Sequence, residues 1–286
     1  KAEWLKTSST PLCGQLKFKK CFGKSELVQA VELRSGSPRL DFITEIEWRE
    51  RHKLLKVAFP TDIRADKATF DIQFGNVERN AHDNTSWDVA MFEAPAHKWA
   101  DISETDLGFA LLNDCKYGYD CKHGVLRLSV LRAPTAPDLF ADQGSNAFIY
   151  SAMPHSGDFR SAGVVKEAHF LNMPLIVKQL KAGQKGQMPP ELSFVRSDSE
   201  NIIIDTAKLA EDGSGDMIIR AHEYFKKSGE SVISFAYPIE SAVETDMLER
   251  TIGAAKFAGK RLKAAFKTFE IKTLRVKIHE TARENR

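Results

Sequence analysis

The chain lacks any apolar run of about 18 residues and any signal-peptide pattern, so nothing in it reads as a membrane-spanning helix. Cysteine is scarce: Cys13, Cys21, Cys115 and Cys121 are the only four in 286 residues, and no two form a CxxC pair. A chain this long buries enough core to do without disulfide staples, so reduced structural thiols are expected. A bridge or metal clip between Cys115 and Cys121 is the alternative. Charge of one sign is also missing, since 41 basic against 39 acidic residues leave a formal net charge of +2. No global field steers a polyanion, and neither nucleic-acid nor membrane partners are expected. The one local imbalance, ten Lys or Arg against three Glu over residues 251–286, reads as a solvated charged end. There is no GxSxG elbow, no HExxH or HxH pair and no phosphate-loop spacing, which sets aside the corresponding hydrolase, metal and nucleotide chemistries.

Helix patterns are weak, and strand patterns dominate. Ala68, Phe70, Ile72 and Phe74 alternate with Thr69, Asp71 and Gln73, a period of two that marks a strand with one buried face. Phe42, Ile46 and Trp48 behave alike, and Leu55, Val57 and Phe59 continue after a break until Pro60 ends the run. Further strands are expected at Leu126–Val130, around Phe148 and Tyr150, and from Val164-Val165 toward Phe170. Residues 181–200 carry Gly-Gln-Lys-Gly and Met-Pro-Pro without apolar periodicity and read as a linker. Beyond it, four strand-like segments separated by Gly-rich or charged turns suit a small antiparallel sandwich. Helix formers fill 252–268, but Gly253 and Gly259 weaken a helix there.

The densest chemistry lies in residues 79–132. Asn113, Asp114, Lys116, Tyr117, Tyr119 and Asp120 place amide, carboxylate, ammonium and phenol groups within eight positions, the mixture that vicinal sugar hydroxyls and an apolar sugar face require. A polar hairpin turned by Gly118 at positive φ would use the same residues. Arg79, at the end of the best strand, could form a bidentate contact with a ligand; a local pair with Glu78 or Asp83 is the simpler arrangement. Asp88 and Glu93 near Trp87 and Phe92 are carboxylates beside aromatics, as in glycoside hydrolysis, but their spacing fixes no separation. His82, His97, His123 and His155 follow no metal-ligand spacing. Asn84-Thr85-Ser86 is an N-x-S/T triplet, meaningful only on a secretory route.

The run Phe74-Gly-Asn-Val-Glu-Arg-Asn-Ala-His-Asp-Asn-Thr-Ser-Trp-Asp-Val-Ala-Met-Phe-Glu, then His97-Lys-Trp-Ala-Asp-Ile-Ser-Glu, Leu111-Leu-Asn-Asp-Cys-Lys-Tyr-Gly-Tyr-Asp, Arg127-Leu-Ser-Val-Leu-Arg-Ala-Pro and Pro154-His-Ser-Gly-Asp resembles the C-terminal half of the family 38 glycoside hydrolases, the class II α-mannosidases. The likeness is to the cytosolic, fungal vacuolar and bacterial branch. It extends over Glu45–Pro60 and to Phe269-Glu-Ile-Lys-Thr-Leu-Arg-Val.

The resemblance implies a mainly β chain: a large antiparallel supersandwich of galactose mutarotase type over 1–180, a linker over 181–200, a small sandwich over 201–279 and a tail at 280–286. It implies a retaining exo-glycosidase whose nucleophile, acid/base carboxylate and zinc belong to an N-terminal catalytic domain. No catalytic or metal-binding residue is then expected here, and the chain alone should not hydrolyse substrate. Because it starts at Lys1 in mid-pattern, a fragment whose supersandwich lacks its first strands is expected. Arg79 matches a family Arg on the substrate side, with Asn113, Asp114, Lys116, Tyr117 and Tyr119 nearby. Asn80-Ala81-His82 stands where relatives show Arg-Pro-Thr-His, and Cys121-Lys122-His123 replaces a Val-containing turn. The implied partners are a mannose-containing oligosaccharide, the chain's own catalytic domain and a homo-oligomer, in the cytoplasm or, in a fungus, the vacuole. A free-standing carbohydrate-binding or interaction module is the competing expectation.

Overall fold

Period-two alternation becomes two facing antiparallel sheets in the first of two compact units, which divide at residues 177 and 178. The computed structural model describes residues 2–181, 183, 186 and 188–279, so the expected tail at 280–286 lies outside the described residues. In chain order the first unit holds β1 (Ala2–Ser9), β2 (Cys13–Phe22), β3 (Ser25–Arg34), β4 (Leu40–Trp48), β5 (Leu55–Pro60), β6 (Lys67–Ile72), β7 (Gly75–Asn80), α1 (Ser86–Ala90) and β8 (Ala94–Pro95). It continues with β9 (Trp99–Ser103), β10 (Leu107–Asn113), β11 (Gly118–Lys122), β12 (Val125–Leu131), β13 (Gly144–Ser156) and α2 (Val164–Asn172). Nine strands form one sheet in the order β1-β2-β3-β4-β13-β10-β9-β6-β7, and four form the other, β5-β12-β11-β8.

The expected inward faces are the observed ones. Ile46, Trp48, Ala68, Phe70, Ala100, Ile102, Leu111, Phe148 and Tyr150 of the large sheet meet Tyr119, Cys121, Leu126, Leu128 and Val130 of the small sheet in one core cluster. Phe59 of β5 lies 6.0 Å from Phe42 of β4, 5.3 Å from Phe109 of β10 and 6.3 Å from Tyr150 of β13, which seats β5 over the β4–β13–β10 part of the large sheet. The alternation at 68–74 stops one step early: β6 ends at Ile72, and Phe74 turns the hairpin at φ 54.

Two expectations in this unit are corrected. Val164–Phe170 is helix, not strand, because Val164 and Ala168, four apart and fully buried, bury one helical face while Phe170 stays 48% exposed. Gly118 is not a left-handed turn residue but opens β11; a Cβ there would collide with the Glu93 carboxylate and come within 3.1 Å of the Ser129 Cβ.

The second unit carries β14 (Val195–Ser197), β15 (Ile202–Leu209), β16 (Met217–Glu223), β17 (Gly229–Phe235), β18 (Ile239–Thr245), β19 (Thr251–Ala254), β20 (Lys256–Ala258), β21 (Arg261–Phe266) and β22 (Ile271–Ile278). They form a four-stranded sheet, β14-β17-β21-β20, and a five-stranded sheet, β15-β16-β22-β18-β19. Ile219, Ile233, Leu262, Phe266, Leu274 and Val276 fill the core between the sheets. The helix-forming composition of 252–268 is overridden: Leu262, Ala264 and Phe266 alternate inward as β21. β14 begins inside the stretch read as linker, where Val195 pairs with Phe235 and packs on the core. Among the described residues no helix is long and apolar enough to cross a membrane.

Candidate functional site

Arg79 sits on the edge strand β7, directly opposite Ala68 of β6, and therefore on the inner face of the large sheet. Its guanidinium carbon lies 4.7 Å from the centroid of the Phe70 ring, a cation–π stack. Its Nη1 is buried and has no hydrogen-bond partner. Burial alone pulls the guanidinium below its ordinary pKa. The local pairs open to it are not made: Glu78 binds Lys67 at 3.4 Å, and Asp83 faces His123 at 3.1 Å. A buried donor with no acceptor costs roughly 1–3 kcal/mol, so the chain maintains here a group that a ligand oxygen would satisfy.

The segment after Arg79 is tied down by Asp88. Its Oδ1 accepts from Asn80 Nδ2 at 2.8 Å, and its Oδ2 accepts from the Thr85 hydroxyl at 2.7 Å and the Thr85 amide at 3.1 Å. These bonds, Asn80 first, hold its carboxyl below the usual carboxylate range. Thr85 is the N-cap of α1 and forms a capping box with Asp88, which accounts for the Asn84-Thr85-Ser86 triplet without a sugar attachment. Lys122, a residue sequence reasoning passed over, donates to the carbonyls of Asn80, His82 and Asp88 at 3.3, 2.7 and 3.2 Å. A lysine beside a turn carries no sequence mark of such a role. The result is a rigid corner from which Trp87 and Phe92 project, 82% and 76% exposed. Beside it a groove of about 400 Å³ is lined by Thr61, Asp62, Arg64, Asp66, His82 and His123 among others.

Asp88 and Glu93 do not form a catalytic carboxylate pair. Glu93 bonds the Ser129 hydroxyl and lies 3.9 Å from Lys56, while Asp88 is consumed by the cap.

The loop after β10 splits into inner and outer members. Asn113 is 1% exposed, and its amide donates to the His97 carbonyl at 2.7 Å and the Tyr119 hydroxyl at 2.6 Å while accepting from the Lys116 amide at 2.6 Å. Tyr119 is fully buried, donates to the Leu111 carbonyl at 3.1 Å, and is pushed far above the ordinary phenol pKa by that burial. Both therefore shape the loop from within. Lys116 lies over the Phe148 ring at 5.0 Å, Asp114 keeps a buried Oδ1 without a partner, and Tyr117 is 59% exposed with its edge on His97.

The six residues are not gathered in one place. The register sets Arg79 level with Ile102 and Asn113 level with Lys98, three strands across the sheet. That separation is about 14 Å across the strands and about 13 Å along them.

A two-sheet sandwich and a second, smaller β sandwich, with a buried, unpartnered guanidinium nitrogen on an edge strand of the first, define a mainly β class of protein. Its relatives give the family. Residues 1–140 match the "Glycosyl hydrolases family 38 C-terminal domain" and residues 201–274 the "Glycosyl hydrolases family 38 C-terminal beta sandwich domain", so the chain belongs to glycosyl hydrolase family 38. It is 41% identical over 254 residues to "Alpha-mannosidase 2C1" of Homo sapiens, covering 87% of this chain and 24% of that protein. It is likewise 41% identical over 258 residues to "Alpha-mannosidase G" of Dictyostelium discoideum, covering 88% and 24%. The chain thus spans about a quarter of the length of these relatives. The crystal structure of an alpha-mannosidase from Enterococcus faecalis V583 has the same fold, with a TM-score of 0.80 at 16% identity over 96% of this chain and 35% of that one. Among the described residues no group of three or more His, Cys, Asp or Glu could hold a metal ion, so zinc has no seat among them.

Proposed function

We propose that this chain is the C-terminal β portion of an α-mannosidase, a retaining glycosidase that removes terminal α-mannosyl residues from oligosaccharides. In this reading it packs against an N-terminal catalytic portion, which carries the zinc and both carboxylates, and helps to close the sugar pocket. Hydrolysis by the chain alone is not expected, since its candidate carboxylates are engaged in structural bonds. The four free thiols suit a reducing, cytoplasmic setting.

The observation that carries the reading is the buried, unpartnered Nη1 of Arg79. Nη1 is already desolvated and the guanidinium is oriented by Phe70, so a sugar hydroxyl or the catalytic portion would gain a charged hydrogen bond with little reorganisation. Trp87 and Phe92, at the same corner, supply apolar surface for packing on the catalytic portion. Tyr117 offers an aromatic face at the other end.

Arg79→Ala in the full-length enzyme tests this. A charged hydrogen bond is worth roughly 1.5–3 kcal/mol, so kcat/KM toward an α-mannoside should fall about tenfold to a hundredfold. Unchanged kinetics would remove Arg79 from the pocket and leave the proposal without its support.

A further inference from the structure

The two sheets of the second unit carry cations on their outer faces in opposite ways. On the five-stranded sheet the registers turn Lys208, Arg275 and Lys277 away from the core residues Ile219, Leu274 and Val276. Each is bound to carboxylates: Lys208 to Glu249, Arg275 to Asp212 and Asp216, and Lys277 to Glu240, all at 2.7 Å. Arg220 of the same face donates to the Thr273 hydroxyl at 3.2 Å.

The four-stranded sheet leaves its cations open. Val195, Ile233, Leu262 and Phe266 pack on the core, so strand parity turns Arg196 of β14, Arg261 and Lys263 of β21 and Lys256 of β20 outward, and all four are exposed. The apolar side chains among them are Val232, Ala258 and Ala265, and no aromatic side chain shares the face. Glu230 is the one acidic side chain there, 3.3 Å from Lys263. Asp198, past the end of β14, spends its Oδ1 on the Val232 amide at 2.8 Å and the Ser231 hydroxyl at 3.1 Å. Among the described residues Arg196, Arg261 and Lys256 have no side-chain partner.

The spacing is set by the strands. Lys256 stands directly opposite Lys263, a like-charge pair with Cβ atoms ~5 Å apart that costs stability. Arg261 follows ~7 Å along β21, and Arg196 lies two strands from Arg261, ~10 Å across the sheet. Guarding of sheet edges against stray pairing accounts for Arg196 and Lys256, which are on edge strands. It does not account for Arg261 and Lys263, because β21 is paired on both sides.

Four cations set among small side chains select their partner. The face offers no large apolar side chain to a bilayer and no aromatic ring to a base, and an interface kept permanently shut would be depleted of charge at its centre. An extended acidic segment fits: its alternate side chains recur every ~7 Å, the interval of Arg261 and Lys263, and a carboxylate can accept both prongs of a guanidinium. We infer that this face docks an extended segment of a separate protein, with Asp or Glu at alternate positions, in a reversible contact steered by charge.

Fluorescence anisotropy with the intact protein and a labelled peptide of alternating Glu and Ser tests it. The peptide should bind at about 50 mM salt and lose at least about tenfold in affinity by about 300 mM. Arg261→Ser combined with Lys263→Ser should weaken binding about tenfold or more. Arg250→Ser combined with Lys277→Ser removes the same charge from cations already bound to Asp246 and Glu240, and should change it by less than about twofold. A peptide of alternating Lys and Ser should not bind the unaltered protein. Failure of the Glu-Ser peptide to bind, equal weakening by the two double variants, or tighter binding of phosphatidylserine vesicles or duplex DNA would each overturn the inference.

Discussion

The two units solve the same packing problem to different degrees. The second sets four strands against five and surrounds its buried carboxylate: Glu223, fully buried, accepts from the amides of Phe225, Lys227 and Phe269 at 2.6, 3.0 and 3.0 Å and from Asn201 at 3.2 Å. The first sets nine against four, leaves apolar residues of its inner face in solvent, and keeps Arg79 Nη1 and Asp114 Oδ1 buried without partners. A group satisfied as Glu223 is serves the fold, whereas Arg79 Nη1, held buried without an acceptor, is placed to meet something else, and the proposed function rests on it for that reason.

The sharpest way to break this contrast is to open the second unit. Burial pushes the Glu223 carboxyl up, but the bonds from Phe269, Lys227, Asn201 and Phe225 outweigh it and hold the pKa below the usual range. Glu223→Ala should therefore remove at least about 3 kcal/mol, since three backbone donors lose their acceptor at roughly 1–3 kcal/mol each. Native-state hydrogen exchange at β16 and β22 reads the loss. If Glu223→Ala costs less than about 1 kcal/mol, the second unit is not the closed structure described, and the comparison fails.

The contrast was only half legible in the sequence. Alternation at Phe42, Ile46 and Trp48, or at Leu274 and Val276, names inward faces because strand periodicity is local. Local pattern also misled. Two adjacent valines at 164–165 suggest a strand until the buried positions turn out four apart, and the helix-forming composition of 252–268 hides strands that only Gly253 and Gly259 argue for by weakening a helix. The candidate loop shows the deeper limit. Asn113, Lys116, Tyr117 and Tyr119 look equivalent in sequence, yet strand parity and the His97 carbonyl send two of them into the core. The mismatch of nine strands to four is invisible locally, since it depends on which strands pair, and pairing is non-local.

Alkaline titration offers a smaller test. His155 of β13 is 2.7 Å from Asp101 of β9, with both side chains nearly buried. Burial lowers the imidazole pKa, but the hydrogen bond and charge of Asp101 raise it by more. Its folded pKa thus lies above the unfolded value of about 6.5. The protonated pair contributes stability that is fully present below that value and is lost as pH rises through the folded pKa, at about 1.4 kcal/mol for each pH unit between the two. The second unit holds Asp212 depressed to about 2, by the Ser214 amide and hydroxyl first and Arg275 next. Its contribution is lost instead as pH falls from about 4 toward 2. Exchange at β10 and β13 should accelerate as pH rises above about 6.5, beyond the intrinsic rise, and His155→Gln should abolish that excess. An excess that persists in His155→Gln would place the titrating group elsewhere.

The smallest expected effect separates a group held for a partner from one held for the fold. Arg79 contributes to the first unit an unpaired buried donor, so its loss should leave stability unchanged within about 0.5 kcal/mol, the gain from removing the donor offsetting the lost stack on Phe70. Cys121 reports this directly. It is buried on β11 at the centre of the core, and burial, then the charge of Asp120, pushes its thiol up to about 12, so labelling at pH 8 requires the unit to open. Arg79→Ala should label at Cys121 within about twofold of the unaltered protein. Asn113→Ala, which strips the His97 carbonyl and the Lys116 amide of their partner, should label at least tenfold faster. Were both substitutions to accelerate labelling equally, Arg79 would be part of the scaffold, and the unsatisfied guanidinium would no longer support the proposed contact with a sugar or a catalytic portion.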